Sequence, residues 1–280
     1  MIEYLVFQGG GVATLGYAGG LQALQETGRL EHIKGVAGTS AGAICAALVA
    51  NKTPPDRIAE LLQRDFSAFT KDSFGGWLEW VGDLKRLRKE RGLNSSKHLE
   101  RIFEEWLGPI TFRELPILLE VFACDWRRKC LTKFSVENYP DLKVAKACAA
   151  SACIPIFYTP VEVNGVEYVD GGIIANYPLG NTSFVWQISI MQSVLGFRLR
   201  QDTVAEDLKS GILPYAKALL NLILGLSQYP WISCPEISID RVGVRATEFS
   251  IKPEIAKEMV HRGRIDTLRQ LEELSRIYKF

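Results

Sequence analysis

Apolar residues along the chain fall into short runs separated by glycine-rich or polar turns, and the runs alternate between two periods. Residues 2–7 are β-branched and aromatic and predict a strand. Gly9-Gly10-Gly11 follows at once, and then Leu15, Ala18, Leu21 and Leu24 recur at helical spacing, with Gly28 as the closing residue. Residues 33–37 predict a second strand, Gly38-Thr39-Ser40-Ala41-Gly42 a tight turn, and 41–51 a small-residue helix stopped by Pro54-Pro55. Strand, helix, strand, helix in this order predicts an α/β fold with a parallel sheet.

Residues 56–107 break the alternation. They are charged and aromatic, with helical spacing at Ile58-Leu61-Leu62 and again at Leu99-Ile102-Phe103-Trp106. They predict a helical cap or insertion at about 52–108 within a single domain spanning 1–280. Inside it, Trp77, Trp80 and Lys85-Arg86-Leu87-Arg88-Lys89 combine interface-favouring rings with positive charge, which suits transient contact with an anionic membrane surface. A solvated helix face with two rings packed beneath it has the same composition. Strands are predicted again at 118–124 and 129–134, a small-residue helix at 144–152, and a hairpin of 161–163 with 166–169 around Asn164-Gly165. Residues 194–199 and 236–239 predict strands, 213–226 a helix, and 255–277 one long or two abutting amphipathic helices.

Composition narrows the classes of function. The 280 residues carry 33 Lys plus Arg against 32 Asp plus Glu, a net charge of +1, which argues against a nucleic-acid-coating protein and against disorder. No run of apolar residues is long enough to span a bilayer, and Met1-Ile2-Glu3-Tyr4 does not begin a signal peptide. The expectation is a cytoplasmic protein, peripheral at a membrane if it meets one. The six cysteines form no C-x-x-C pair, and only three histidines accompany them, so reduced and mostly buried thiols are expected and no metal site.

Two glycine-rich turns carry the candidate chemistry. Gly38-Thr39-Ser40-Ala41-Gly42 fits G-x-S-x-G between a strand and a helix. Glycines two before and two after the serine let strand and helix approach, and the serine oxygen is presented at the top of the sheet, a nucleophile elbow. Gly9-Gly10-Gly11 after the first strand admits three readings. A dinucleotide loop needs glycine at position 14, which is Thr14, and a phosphate P-loop needs Lys after Gly16, which is followed by Tyr17. An oxyanion hole remains, with the backbone N–H groups of Gly10, Gly11 and Val12 as donors. The serine then needs a base. His98 lies in the charged insertion and His261 on the terminal amphipathic helix, and both read as solvated helix residues. Asp170 ends an apolar strand before Gly171-Gly172, where a carboxylate would be presented at a sheet edge. A turn-initiating aspartate would have the same sequence.

These motifs, in this order, resemble the patatin-like phospholipase family along nearly the whole chain. Gln8-Gly9-Gly10-Gly11-Val12 and Tyr17-Ala18-Gly19 are similar to its glycine-rich loop and following helix, and Gly38 to Gly42 to its nucleophile elbow. Gly92-Leu93-Asn94-Ser95 and Thr111-Phe112 are similar to its middle section. Ala150-Ser151-Ala152-Cys153-Ile154-Pro155, Val169-Asp170-Gly171-Gly172 and Asn176-Tyr177-Pro178 complete the set. The resemblance implies a three-layer αβα sandwich with a mainly parallel sheet, and a Ser40–Asp170 catalytic dyad that hydrolyses acyl esters of lipids through an acyl-enzyme. It implies a lipid or other acyl-ester substrate and no cofactor. The family usually follows its glycine triplet with one residue, then Arg or Lys, then Gly, where this chain has Val12-Ala13-Thr14. That departure leaves one rival expectation, a weak or inactive relative that binds lipid or a partner; a small-ester hydrolase or acyltransferase using the same dyad is a further alternative.

Overall fold

Strand β1 (Tyr4–Phe7) is an interior strand of the sheet, and helix α1 (Leu15–Glu26) follows it through the glycine loop. Strand β2 (Gly35–Thr39) turns directly into α2 (Ala41–Ala50), as the alternation predicts. The computed structural model describes residues 1–63, 89–184, 193–200, 215, 218–219, 222–223, 234–244 and 251–278. The remaining described elements are α3 (Pro55–Gln63), β3 (Gly92–Asn94), α4 (Ser96–Leu107), β4 (Leu118–Asp125), β5 (Cys130–Phe134), α5 (Val144–Ala152), β6 (Ile156–Tyr158), β7 (Val161–Val163), β8 (Val166–Asp170), α6 (Gly172–Ala175), β9 (Val194–Leu199), β10 (Glu236–Ile239) and α7 (Pro253–Tyr278). The C-terminal segment is thus one continuous helix. The stretch with Trp77, Trp80 and Lys85 to Arg88, and most of the helix expected over 213–226, lie outside the described residues.

The main sheet runs β10-β9-β1-β2-β4-β8-β7, with β5 also paired to β4. Strands β10, β9, β1, β2 and β4 are mutually parallel, and β5 and β8 run antiparallel to β4. The sheet is therefore mainly parallel with an antiparallel extension. Asn164 and Gly165 take φ 50° and 77°, the left-handed pair that a two-residue hairpin between β7 and β8 requires.

The pairing of β4 positions the site. Strand β5 occupies one edge of β4 from Val121 to Asp125. Strand β2 pairs with residues 118–122 and β8 with residues 123–125, so both must use the other edge. Running in opposite directions, β2 and β8 meet end to end there. Thr39 stands opposite Phe122 and Asp170 opposite Ala123, its neighbour.

Alternate strand residues serve two cores, as the period of two dictates. Leu5, Phe7, Val36, Val121, Leu195 and Phe197 join a large cluster with the apolar faces of α1 to α5 and α7. Val6, Ala37, Phe122 and Val194 face a smaller cluster closed by Tyr177, Leu179, Phe184 and Cys234. Ile58, Leu61 and Leu62 on α3 and Leu99, Ile102 and Phe103 on α4 all belong to the large core. Both described ends of the expected insertion thus pack on the large core. Between them β3 pairs with β6 in a small parallel sheet that the periodicity does not reveal, because three residues are too few to show alternation.

Candidate active site

Ser40 occupies the single residue between β2 and α2, at φ 54° and ψ −130°. A non-glycine residue takes such angles only where its surroundings enforce them. The enforcement is visible on both sides. A Cβ on Gly38 would strike the Gly42 carbonyl, and a Cβ on Gly42 would lie 2.5 Å from Gln8 O and 2.6 Å from Phe7 O. Without side chains at those two positions the turn packs directly on β1, and Ser40 projects from the carboxyl end of the sheet. Its own N–H donates to Ser151 Oγ at 2.8 Å, and that hydroxyl donates to Phe122 O at 2.6 Å.

Asp170 reaches the same point from the other strand. Ser40 Oγ donates to Asp170 Oδ2 at 2.7 Å, and the N–H of Gly172 donates to Asp170 Oδ1 at 2.7 Å. Asp170 is 1% exposed and Ser40 8%. Burial pushes the Asp170 carboxyl up to about 6, against the lowering effect of the hydrogen bonds from Ser40 and Gly172. No histidine enters this arrangement: His98 lies beside Arg101 on α4, and His261 is exposed on α7.

The glycine loop lies against the pair. A Cβ on Gly9 would meet Asn176 Oδ1 and come within 3.1 Å of Ser40 Cβ. Gly9 N–H is committed to Asn176 O at 2.8 Å, and Asn176 Nδ2 donates back to Gly9 O at 3.3 Å. The Tyr17 hydroxyl donates to Gln8 O at 3.0 Å, and Gln8 Oε1 accepts the N–H of Leu199 at 2.9 Å. Among the described residues nothing accepts from the N–H groups of Gly10, Gly11 and Val12. The loop is thus fastened at Gln8 and Gly9 and open at the next three donors.

Residues 5–182 match the family described as patatin-like phospholipase, a span that holds the glycine loop, the serine turn and the Asp170 strand. The chain belongs to that family. Among its curated relatives, the uncharacterized protein YqhO of Bacillus subtilis is 30% identical over 193 residues, covering 62% of this chain and 64% of the relative. The probable lipid hydrolase 463L of Invertebrate iridescent virus 6 is 32% identical over 190 residues, covering 62% and 61%. The match thus spans less than two thirds of either relative's length. Of solved structures, VipD from Legionella pneumophila superposes with TM-score 0.59 at 19% identity, over 97% of this chain and 67% of that one. The type III effector ExoU superposes with TM-score 0.51 at 16% identity, over 98% and 53%. Both share the fold of this patatin-like chain.

The departure from the family's glycine motif has a local explanation. Thr14 lies at φ −66°, open to any residue, and its hydroxyl donates to Gly11 O at 2.8 Å. Glycine is not required there. Val12, Ala13 and Thr14 are all fully buried, so the position of the missing basic residue faces packing and not solvent. All six cysteines are free, and all but Cys130 are buried, as expected.

Ser151 and Asn176 are the site residues that pattern reading leaves without a role. Both stand in the motifs that carry the family resemblance, which was the available signal. Ser151→Ala would strand the buried N–H of Ser40 and remove a donor to Phe122 O. It is expected to destabilise the fold by about 3 kcal/mol and to lower turnover, measured by urea unfolding and an ester assay.

Proposed function

We propose that the protein is a serine hydrolase of lipid acyl esters in which Ser40 is the nucleophile and Asp170 the base. The observation that carries this reading is the 2.7 Å hydrogen bond from Ser40 Oγ to Asp170 Oδ2. A carboxyl titrating at about 6 is ionised near neutral pH yet still basic enough to take a proton. The proposed step begins when Asp170 accepts the hydroxyl proton as Ser40 Oγ attacks the ester carbonyl. The developing oxyanion is held by the open N–H groups of Gly10, Gly11 and Val12, with the positive end of α2 behind it. The tetrahedral intermediate collapses, and the leaving alcohol takes the proton from Asp170. Water then attacks the acyl-enzyme, giving its proton to Asp170, which returns it to Ser40 Oγ as the fatty acid leaves. The viral relative named a probable lipid hydrolase supports a lipid substrate.

The test is covalent. A fluorophosphonate probe should label the folded protein and leave Ser40→Ala unlabelled, and that variant should lose roughly 10⁴-fold or more of fatty-acid release with an unchanged circular dichroism spectrum. Equal labelling of both proteins, or undiminished hydrolysis by the variant, rejects the assignment. Faster acyl transfer to a lysolipid than to water would identify an acyltransferase using the same pair.

A further inference from the structure

The turn joining β4 to β5 reads Trp126-Arg127-Arg128-Lys129, and residues 126–130 are all exposed. We propose that this hairpin tip docks the protein on an anionic lipid bilayer. The choice of a bilayer rests on the lipid-ester reading above; the surface itself is argued from position, ring and charge.

Position comes first. Phe122 on β4 is level with the last residue of β2, and the strand continues beyond it. Trp126 is four residues further on, roughly 13 Å past the end of β2 at a strand's rise per residue. It therefore stands on the side to which Ser40 is presented, where ligands of open α/β sheets bind. A flat surface meeting the tip would lie across that side of the molecule.

The ring is partly exposed and framed by two arginines. Trp126 is 38% exposed, with the Arg127 guanidinium carbon 4.8 Å and that of Arg91 5.5 Å from its ring centroid. Glu167 on β8 accepts from both arginines, which fixes them around the indole. Exposed tryptophan flanked by arginine and lysine is the combination that settles at the headgroup level of a membrane.

Charge completes the case. Arg91, Arg127, Arg128 and Lys129 gather here. Glu167 offsets part of that charge, as does Asp125, which lies 3.6 Å from Arg128. Glu162, opposite Glu167 on β7, and Glu90, next to Arg91 in sequence, are further exposed carboxylates. Among the described residues no carboxylate pairs with Lys129, so one exposed cation at the turn is left without a counter-charge of its own. A convex tip offers no groove along which a nucleic-acid backbone could run.

The experiment is co-sedimentation of the full chain with phosphatidylcholine vesicles, with and without phosphatidylserine. The wild type should bind the phosphatidylserine vesicles more tightly, and less so as salt rises. Arg128→Gln with Lys129→Gln should weaken that binding roughly tenfold or more. Trp126→Ala should weaken binding to both vesicle types. Cleavage of a water-soluble short-chain ester should be unchanged in all three proteins. No vesicle binding by the wild type overturns the proposal and turns attention to an acidic protein as partner. Unchanged affinity in the variants, or loss of soluble-ester turnover with them, also overturns it. Vesicle affinity is read without catalysis, so failure of the hydrolase reading would show separately, as an unlabelled Ser40.

Discussion

Asp170→Asn is expected to lower ester hydrolysis on the order of 10⁴-fold while making the protein more stable at pH 8. The two effects share one cause. Burial raises the Asp170 carboxyl from 3.8 to about 6, and the hydrogen bonds from Ser40 and Gly172 recover only part of the difference. A raised folded-state value means that the fold prefers the protonated group. Stability associated with it is fully present below the unfolded value and is lost as pH rises through about 6. At pH 8 the ionised carboxylate therefore costs about 3 kcal/mol relative to the unfolded chain. Asparagine keeps the acceptor for Gly172 N–H, can donate to Ser40 Oγ, and carries no charge. Urea unfolding should show Asp170→Asn ahead of the wild type by up to about 3 kcal/mol at pH 8 and close to it at pH 3. The same titration governs the base: kcat/KM of the wild type should rise with pH through about 6 and then level. A variant that is inactive and also less stable at pH 8 would show that the carboxylate serves the fold and not proton transfer.

Gly42→Ala is expected to cost about 3 kcal/mol or more and to remove hydrolysis from whatever remains folded. One methyl group does this because its neighbours are main-chain atoms. The new Cβ would lie 2.5 Å from Gln8 O and 2.6 Å from Phe7 O, at the end of an interior strand of the sheet. Strand β1 is held by β2 on one side and β9 on the other, so it cannot step aside. The helix must move instead, and Ser40 moves with it. Thermal unfolding reads the first effect. Fluorophosphonate labelling per folded molecule reads the second, and full labelling of a folded variant would contradict it.

Much of this architecture is legible from residue patterns. The strands at 194–199 and 236–239 and the hairpin around Asn164-Gly165 stand where periodicity and turn chemistry put them. The serine turn is legible for a steric reason, since glycines at positions 38 and 42 have one good use between a strand and a helix. Strands β3 and β6 are not legible, being three residues each and defined by pairing between residues 64 apart in the chain, Gly92 with Ile156 and Asn94 with Tyr158. That the described flanks of the charged segment pack on the large core is not legible either, because amphipathic helices look alike in sequence whatever they pack on. At the site, Ser40 and Asp170 can each be singled out from local pattern, but their meeting is implied only by the family resemblance. They are 130 residues apart, and nothing local to either encodes the other. Ser151 is hidden more deeply: a small residue in an alanine-rich helix looks like packing until its hydroxyl is seen between Ser40 N–H and Phe122 O.

The end-to-end meeting of β2 and β8 makes β4 a ruler with discrete marks. Strand pairing admits whole-residue steps only, and each step of β8 would carry Asp170 about 3.3 Å and turn its side chain to the opposite face. No intermediate setting exists in which the carboxylate is slightly misplaced. Substitutions in β4, a strand whose side chains take no part in the proposed chemistry, should therefore divide a preparation into competent and dead molecules. Titrating active serines would then report a fraction, while each competent molecule turns over at the parental rate.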